Sequence, residues 1–348
     1  MAWTSSLNRD LRYLAIRGGL DAIALTRLGR LFPSRSGRGL IFTLHHVRPQ
    51  TPGKTFDPNG ILSITPDFLE VAVRTTLGRG LVPVHLHDLP ALLADPDDKR
   101  RFVAFTLDDG YRNNAEFAAP IFRKFGIPYT IFITRGFVER ARTMWWETNE
   151  AIVRAVEAIE FDFGSGLEVV PSATNGQKRA AFDRFARFMW TVDEDEAVRR
   201  IDETARNHGI DPMKIVRDEV MDENDLRALS RDPLVHFGAH TLSHCNLRCV
   251  DDDRLRQEIV ASAAAVERYV GVRPRSFAYP YGWPTATGER EAQAVARAGF
   301  DIAVTTQPGV LSRERLRHQP MLMPRVSLNG NFQKRRYVDA LISGLPFR

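Results

Sequence analysis

Two adjacent carboxylates end an apolar run in "RFVAFTLDDGYRNN", residues 101–114. Asp108 and Asp109 repel each other, and burial raises the cost of that repulsion. The pair has two readings. It is a polar turn whose aspartate caps the next helix, or a cation offsets one charge while the other carboxylate stays ionised as a base. A second stretch, "HTLSH", carries His240 and His244. Two histidines four residues apart can face one way across a single turn and reach one cation. Strand-end histidines satisfied by hydrogen bonds are the plainer alternative. With Asp109 they make a two-histidine, one-carboxylate set, which leaves coordination positions open for water and substrate. His45 and His46 in "LIFTLHHV", Tyr279 and Tyr281 in "FAYPYG" and Arg325 in "MPRVSL" complete the inventory.

The surrounding elements must bring these residues to one place. "LIFTLHHV", "LVPV", "RFVAFTL", "IPYTIFIT", "PLVHFGAH", "RSFAYP", "FDIAVTT" and "MLMPRVSL" read as strands, and helical segments lie between most of them. Helix stop and start signals are clear in places. Thr65 is an N-cap before Pro66, and Gly271 ends the long helix "DDRLRQEIVASAAAVERYV". The alternation predicts an α/β fold with about seven strands, closed as a (β/α) barrel with one unit missing or open as a doubly wound sheet. In both, chemistry collects at the C-terminal ends of the strands. That is where the residues above fall. Residues 1–38 read as a basic N-terminal helix and linker, and 39–348 as the main domain. Residues 145–229 break the rhythm and read as a mostly helical insertion, with a small β-like piece at "FDFGSGLEVV".

Composition narrows the function classes. The 348 residues are 43% hydrophobic and 26% charged, as in an ordinary soluble globular chain. The formal net charge is +5, and the arginines are scattered through the chain. Without an aromatic-interleaved basic patch, nucleic acid is not an expected partner. Cys245 and Cys249 are too few for a disulfide framework and lack the paired spacing of a structural zinc site, so both are expected as free thiols. No run of 18 apolar residues marks a membrane span. The N-terminus lacks the form of a secretory signal, because Arg12, Arg17, Asp21 and Arg27 interrupt its apolar core. A cytoplasmic location is expected. The N-terminal helix has two readings. It packs on its own domain, or it touches an anionic membrane surface through residues 7–32.

"TLDDG", "HTLSH" and "FAYPYG", in that order and at this wide spacing, resemble the first three motifs of the polysaccharide deacetylases, the NodB-homology domains of carbohydrate esterase family four. The resemblance spans roughly residues 40–330 outside the insertion, and the last motif is of the "FAYPYG" type. It implies a distorted (β/α) barrel that removes N-acetyl groups from an N-acetylated oligo- or polysaccharide or sugar precursor, releasing acetate. It implies Asp108 as catalytic base and Asp109, His240 and His244 as ligands of a divalent metal, commonly zinc, with cobalt, nickel or iron in related members. It implies the Tyr281 backbone N–H at the oxyanion, with the Tyr279 and Tyr281 side chains along the sugar groove. "LHHV" is similar to an early strand end that supplies the general acid, which makes His45 the acid. "LRH" at 316–318 offers His318 in its place. Arg325 matches a late arginine that holds the catalytic carboxylate. Trp283 stacks on a sugar or packs its loop, and Trp145 and Trp146 border a groove or pack. The expected location and basic helix add a lipid-linked sugar to the substrates.

Three other readings stand beside this one. The same residues can hydrolyse a non-sugar amide or cyclic imide. A non-haem iron oxygenase uses the same ligand set, but on a β jelly roll, which the βα alternation opposes. A non-catalytic glycan-binding relative is expected to lack a base or a ligand, and here all four motif residues are present.

Overall fold

The computed structural model describes residues 6–26, 33–51, 53 and 55–347. Its main sheet has eight strands: β1 (Gly39–Leu44), β2 (Leu81–Pro83), β3 (Arg101–Leu107), β4 (Tyr129–Ile133), β5 (Val235–Ala239), β6 (Ser276–Ala278), β7 (Ile302–Val304) and β8 (Val326–Ser327). Every pairing in it is parallel. The order is β7-β6-β5-β4-β3-β1-β8, with β2 beside β3. The first residues of β3 pair with β2 and its last three with β4, so seven positions run around the curl. The gap between the edges is spanned by one segment. Met323 bridges Val304 of β7, and Val326 pairs with Phe42 of β1. Of the two α/β architectures that the alternation allows, this is the (β/α) barrel that the resemblance implies, with the final "MLMPRVSL" strand reduced to two residues.

Strand alternation sorts side chains between two cores. Ile41, Phe102, Ala104, Phe132, Ala278 and Val304 point into the curl. Phe42, Val103, Phe105, Ile131 and Phe237 point outward against helices. These covering helices include α2 (Pro66–Gly78), α3 (Ala119–Phe125), α4 (Asp252–Val270) and α5 (Arg335–Ile342). Thr65 caps α2 by accepting from the Phe68 N–H, and Gly271 ends α4 in a left-handed conformation, as the sequence signals require.

Three local departures from the sequence reading have physical causes. "LIFTLHHV" is not one strand. It breaks at His45, whose carbonyl accepts from Asn114 Nδ2, while the Val47 N–H donates to Asn113 Oδ1. The helix after β3 contains a π turn, Asn114–Ala118, ending two residues before Pro120. Proline has no N–H to continue α pairing, and its ring needs the extra room. The first helix of the 145–229 stretch covers Trp145–Ala155 only. Residues Ala158–Asp162 instead pair with Leu167–Pro171 as an antiparallel hairpin. The helices Asn175–Phe188 and Glu194–Asn207 pack on it around a second core, with Phe161, Phe182, Phe185, Val198 and Ile201, which also takes in Phe56, Tyr111 and Phe137 from outside the stretch.

Candidate active site

The C-terminal ends of the strands converge on Asp108 and Asp109. Asp108 continues the inward alternation of Ala104 and Thr106. Asp109 would face outward if β3 stayed extended. Instead its φ is +72° and that of Gly110 is +70°, which turns both carboxylates to one mouth. A left-handed aspartate costs free energy and persists where its surroundings hold it. Thr241, His244 and Tyr281 share this conformation, with φ of 68°, 57° and 62°. Four of the five non-glycine residues with positive φ among those described thus lie at these strand ends.

Asp108 is held on both oxygens. Arg325 Nη1 donates to Oδ1 and Nη2 to Oδ2, both at 2.7 Å. The guanidinium is itself fixed, with Nε donating to the Thr305 carbonyl at 2.9 Å and Nη1 to Thr106 Oγ1 at 3.1 Å. Both partners are buried. Burial alone would raise the Asp108 carboxyl, but the Arg325 charge and its hydrogen bonds outweigh that and hold it well below the usual range. His45 Nε2 lies 4.0 Å from Asp108 Oδ2. Burial lowers the His45 imidazole to about 4, against the pull of Asp108, so it is neutral at neutral pH. His46, one residue on, faces the other way. Its Nδ1 accepts from Asn113 Nδ2 at 2.8 Å, and its Nε2 lies 3.4 Å from Glu147 Oε1.

Asp109 has no such support. It is buried, and its Oδ1 has no hydrogen-bond partner. His240 Nε2 and His244 Nε2 lie 3.6 and 3.4 Å from that oxygen. The His240 Nδ1–H donates to the Ala278 carbonyl at 2.7 Å, which leaves the Nε2 lone pair facing Asp109. One ligand atom from each of the three residues lies within 4.8 Å of the others. Burial, then Asp108, then Glu147 push the Asp109 carboxyl up, and burial followed by His240 pushes His244 down. An orphaned carboxylate oxygen between two neutral imidazoles is an electron-rich donor set. It fits a divalent metal.

The loop that carries the histidines is clamped. His240 N–H donates to the Ile133 carbonyl, and the Thr134 hydroxyl donates to the His240 carbonyl. Glu258 of α4 accepts from the Leu242 and Ser243 N–H groups and from the Ser243 hydroxyl. Gly136 N–H donates to the Leu242 carbonyl at 2.7 Å. A side chain at Gly136 would put Cβ 2.8 Å from that oxygen.

An aromatic wall stands beside the cluster. Tyr281 and Trp283 stack with centroids 5.6 Å apart, and Trp190 meets both edge-on. The Tyr281 hydroxyl donates to Glu194 Oε1 at 2.6 Å and accepts from Trp145 Nε1 at 3.1 Å. Trp146 is buried against His244, and its Nε1 donates to the Tyr111 hydroxyl. Trp145 and Trp146 are therefore packed and hydrogen-bonded.

Most residues singled out in the sequence meet here, and two do not. Tyr279 does not line the groove. It follows Phe277 on the outward face of β6, packs in the core with Phe277 and Phe300, and donates its hydroxyl to the Met321 carbonyl. His318 is exposed at the end of the helix Arg313–His318, whereas His45 is beside Asp108. Cys245 is buried and Cys249 exposed, both as free thiols. Sequence reasoning missed Glu194, Glu258, Glu147 and Asn113. No local motif marks them, because each reaches the site through the fold.

The sequence profile of the polysaccharide deacetylase family matches residues 95–165 and 192–303. The chain belongs to that family. The gap between the two matched segments, 166–191, lies wholly within the 145–229 stretch. No curated protein matches the chain. Among solved structures, it is similar to the Streptococcus pyogenes deacetylase PplD, determined in complex with acetate, at 17% identity and a TM-score of 0.51, over 84% of this chain and 92% of that one. A Bacillus cereus polysaccharide deacetylase gives 12% and 0.53 over 87% and 68%. A de-N-acetylase from Aggregatibacter actinomycetemcomitans gives 13% and 0.50 over 82% and 93%. At these identities the likeness is one of fold. Family membership makes the chain a hydrolase of the deacetylase class, acting on a carbon–nitrogen bond.

Proposed function

We propose that the protein is a metal-dependent hydrolase that removes N-acetyl groups from an N-acetylated glycan or sugar precursor. One observation carries this reading. In a chain of the deacetylase family, the side chains of "LDDG" and "HTLSH" meet in one buried cluster with an orphaned donor set. Asp109, His240 and His244 are the residues to hold the metal, and zinc is the ion we propose, with cobalt, nickel and iron as alternatives. When bound, the metal supplies a Lewis acid that polarises the acetyl carbonyl and lowers the pKa of water.

The chain's own residues account for the proton movements. Asp108 accepts a proton from the attacking water. Held by Arg325, it is a weak base and gives the proton up readily. His45 is the acceptor within reach, with a neutral imidazole at 4.0 Å. It relays the proton to the departing nitrogen, so acetate and a free amine leave and the site returns to its starting protonation. We assign the Tyr281 N–H to the oxyanion, and the loop that carries it is pinned on both sides. Thr306 donates to the Tyr281 and Gly282 carbonyls, and Glu194 holds the Tyr281 ring. Trp283 and Tyr281 form the sugar-stacking wall, and residues 145–229 act as an inserted unit that completes it.

The test is acetate release from N-acetylglucosamine oligomers and lipid-linked N-acetyl sugars, after chelation and after return of zinc or cobalt. Metal-dependent release that is lost in Asp108→Asn is expected. A loss of about 100-fold or more in His45→Ala supports the relay. Metal binding without release from any sugar shifts the assignment to a non-sugar amide or cyclic imide. Failure to bind any divalent ion overturns the site.

A further inference from the structure

The N-terminal helix α1 (Ser6–Thr26) has two apolar faces, and the domain uses only one. Tyr13, Ile16, Leu20 and Ile23 recur in steps of three and four and share a side. That side is docked except at Ile16, which stays 38% exposed. Leu20 is buried against Tyr337 and Ala340, Tyr13 meets Phe332 edge-on, and Asp21 pairs with Arg336 at 2.6 Å. Leu11, Leu14, Gly18, Ala22 and Leu25 recur in the same steps on the opposite side, and all are exposed. Leu11 is 56% exposed, Leu14 62% and Leu25 79%. Exposed leucines in a row along a folded helix are a contact surface awaiting a partner.

Charge identifies the partner. Basic residues are scattered through the chain, but their excess is not. Residues 1–38 hold seven arginines and two aspartates, a balance of +5 that equals the formal net charge of the whole chain. Residues 39–348 therefore hold 41 basic and 41 acidic residues. Asp21 is already neutralised by Arg336, whereas Arg12, Arg17, Lys334 and Arg335 are exposed at this end. A second copy would bring the same excess of positive charge to the contact. A nucleic-acid backbone offers nothing for leucines to enter. No described helix is long and apolar enough to cross a membrane. An apolar stripe with a basic surround fits an anionic bilayer surface.

We propose that α1 seats the protein on anionic lipid, with Leu11, Leu14 and Leu25 in the headgroup–acyl boundary and the arginines on lipid phosphates. This does not depend on the deacetylase reading. The test is co-sedimentation of the full chain with vesicles of phosphatidylcholine alone, and with about a third phosphatidylglycerol, at low and high salt. We expect binding to the anionic vesicles at least about tenfold tighter than to the neutral ones, and weakened by salt. The pair Leu14→Asp and Leu25→Asp should lose about tenfold or more while keeping the wild-type thermal midpoint, because both side chains are exposed. Wild type that ignores anionic vesicles at low salt overturns the proposal. So does a double variant that binds like wild type. A wild-type dimer that the double variant splits would assign the stripe to a second copy instead.

Discussion

Asp108 and Asp109 are neighbours in sequence and opposites in environment. Asp108 has a guanidinium on both oxygens, and Asp109 has an orphaned oxygen. Two substitutions separate them. Arg325→Met strands a buried carboxylate, and breaking a buried pair from one side costs about 3–5 kcal/mol. Urea unfolding of the metal-free protein should show a loss of that size. Asp109→Asn works the other way. It removes a buried carboxyl whose ionised form has no compensation in the metal-free chain, so the metal-free thermal midpoint at neutral pH should rise. The increase in midpoint on adding zinc should vanish in the same variant, because a ligand that binds only the folded state stabilises only where its site is intact. A midpoint that still climbs with zinc would remove Asp109 from the ligand set. The adjacency of the two carboxylates is legible in the sequence. Their division of labour is not, because Arg325 lies 217 residues away.

At the scale of elements, the site consists of strand ends turned inward by left-handed residues and held from outside. Glu258 shows this best, since one carboxylate collects three donors from the loop between the histidines. Glu258→Gln keeps the shape but leaves one acceptor oxygen and places an N–H₂ against N–H groups. Metal affinity should fall about 10–100-fold with helix content unchanged, read by metal titration under circular dichroism. An unaltered affinity would mean that the loop holds itself. The strand-end motifs could be read because a short polar turn after an apolar run has few uses. Tyr279 was misassigned because "FAYPYG" presents both tyrosines alike. Alternation sends Tyr279 outward after Phe277, and only the left-handed turn at Tyr281 brings the second ring round. Glu194 and Trp190 were invisible for a different reason. Trp190 sits in the turn between two helices of ordinary amphipathic pattern and Glu194 opens the second, so what they touch is decided by packing.

For the whole molecule, the lower end of the curl differs from the mouth. His85, His87 and His236 cluster there, with His87 centred 5.1 Å from His85 and 4.1 Å from His236, and the Nδ1 atom of each is buried without a partner. Burial lowers His87 to about 4 and His236 to about 3, and lowers His85 as well. Around them Asp88 and Asp301 favour the charged form, while Arg275 opposes it. The unfolded chain takes up protons near pH 6.5 and the folded chain only well below that, so the cluster's stabilisation is full above about 6.5 and is lost as pH falls toward about 4. The thermal midpoint should drop between about pH 7 and pH 5, and less steeply in His87→Gln. Equal slopes would exclude the cluster as the cause. The barrel itself was legible from the alternation of strands and helices. This cluster was not, because its histidines come from elements about 150 residues apart that meet only when the sheet curls.

The π turn at Asn114–Ala118 makes chain length, rather than side-chain identity, the quantity that matters after the second aspartate. Its Glu116 is exposed and tolerant of replacement. Deleting Glu116 is another matter. Phe122 anchors the later helix in the core, so a missing residue turns the part before it by about 100°. Asn113 and Asn114 would then swing off Val47 and His45. A one-residue deletion at a surface position, remote from any ligand, should leave a folded protein with a dephased site. Circular dichroism would be kept and acetate release lost, while Glu116→Ala changes neither.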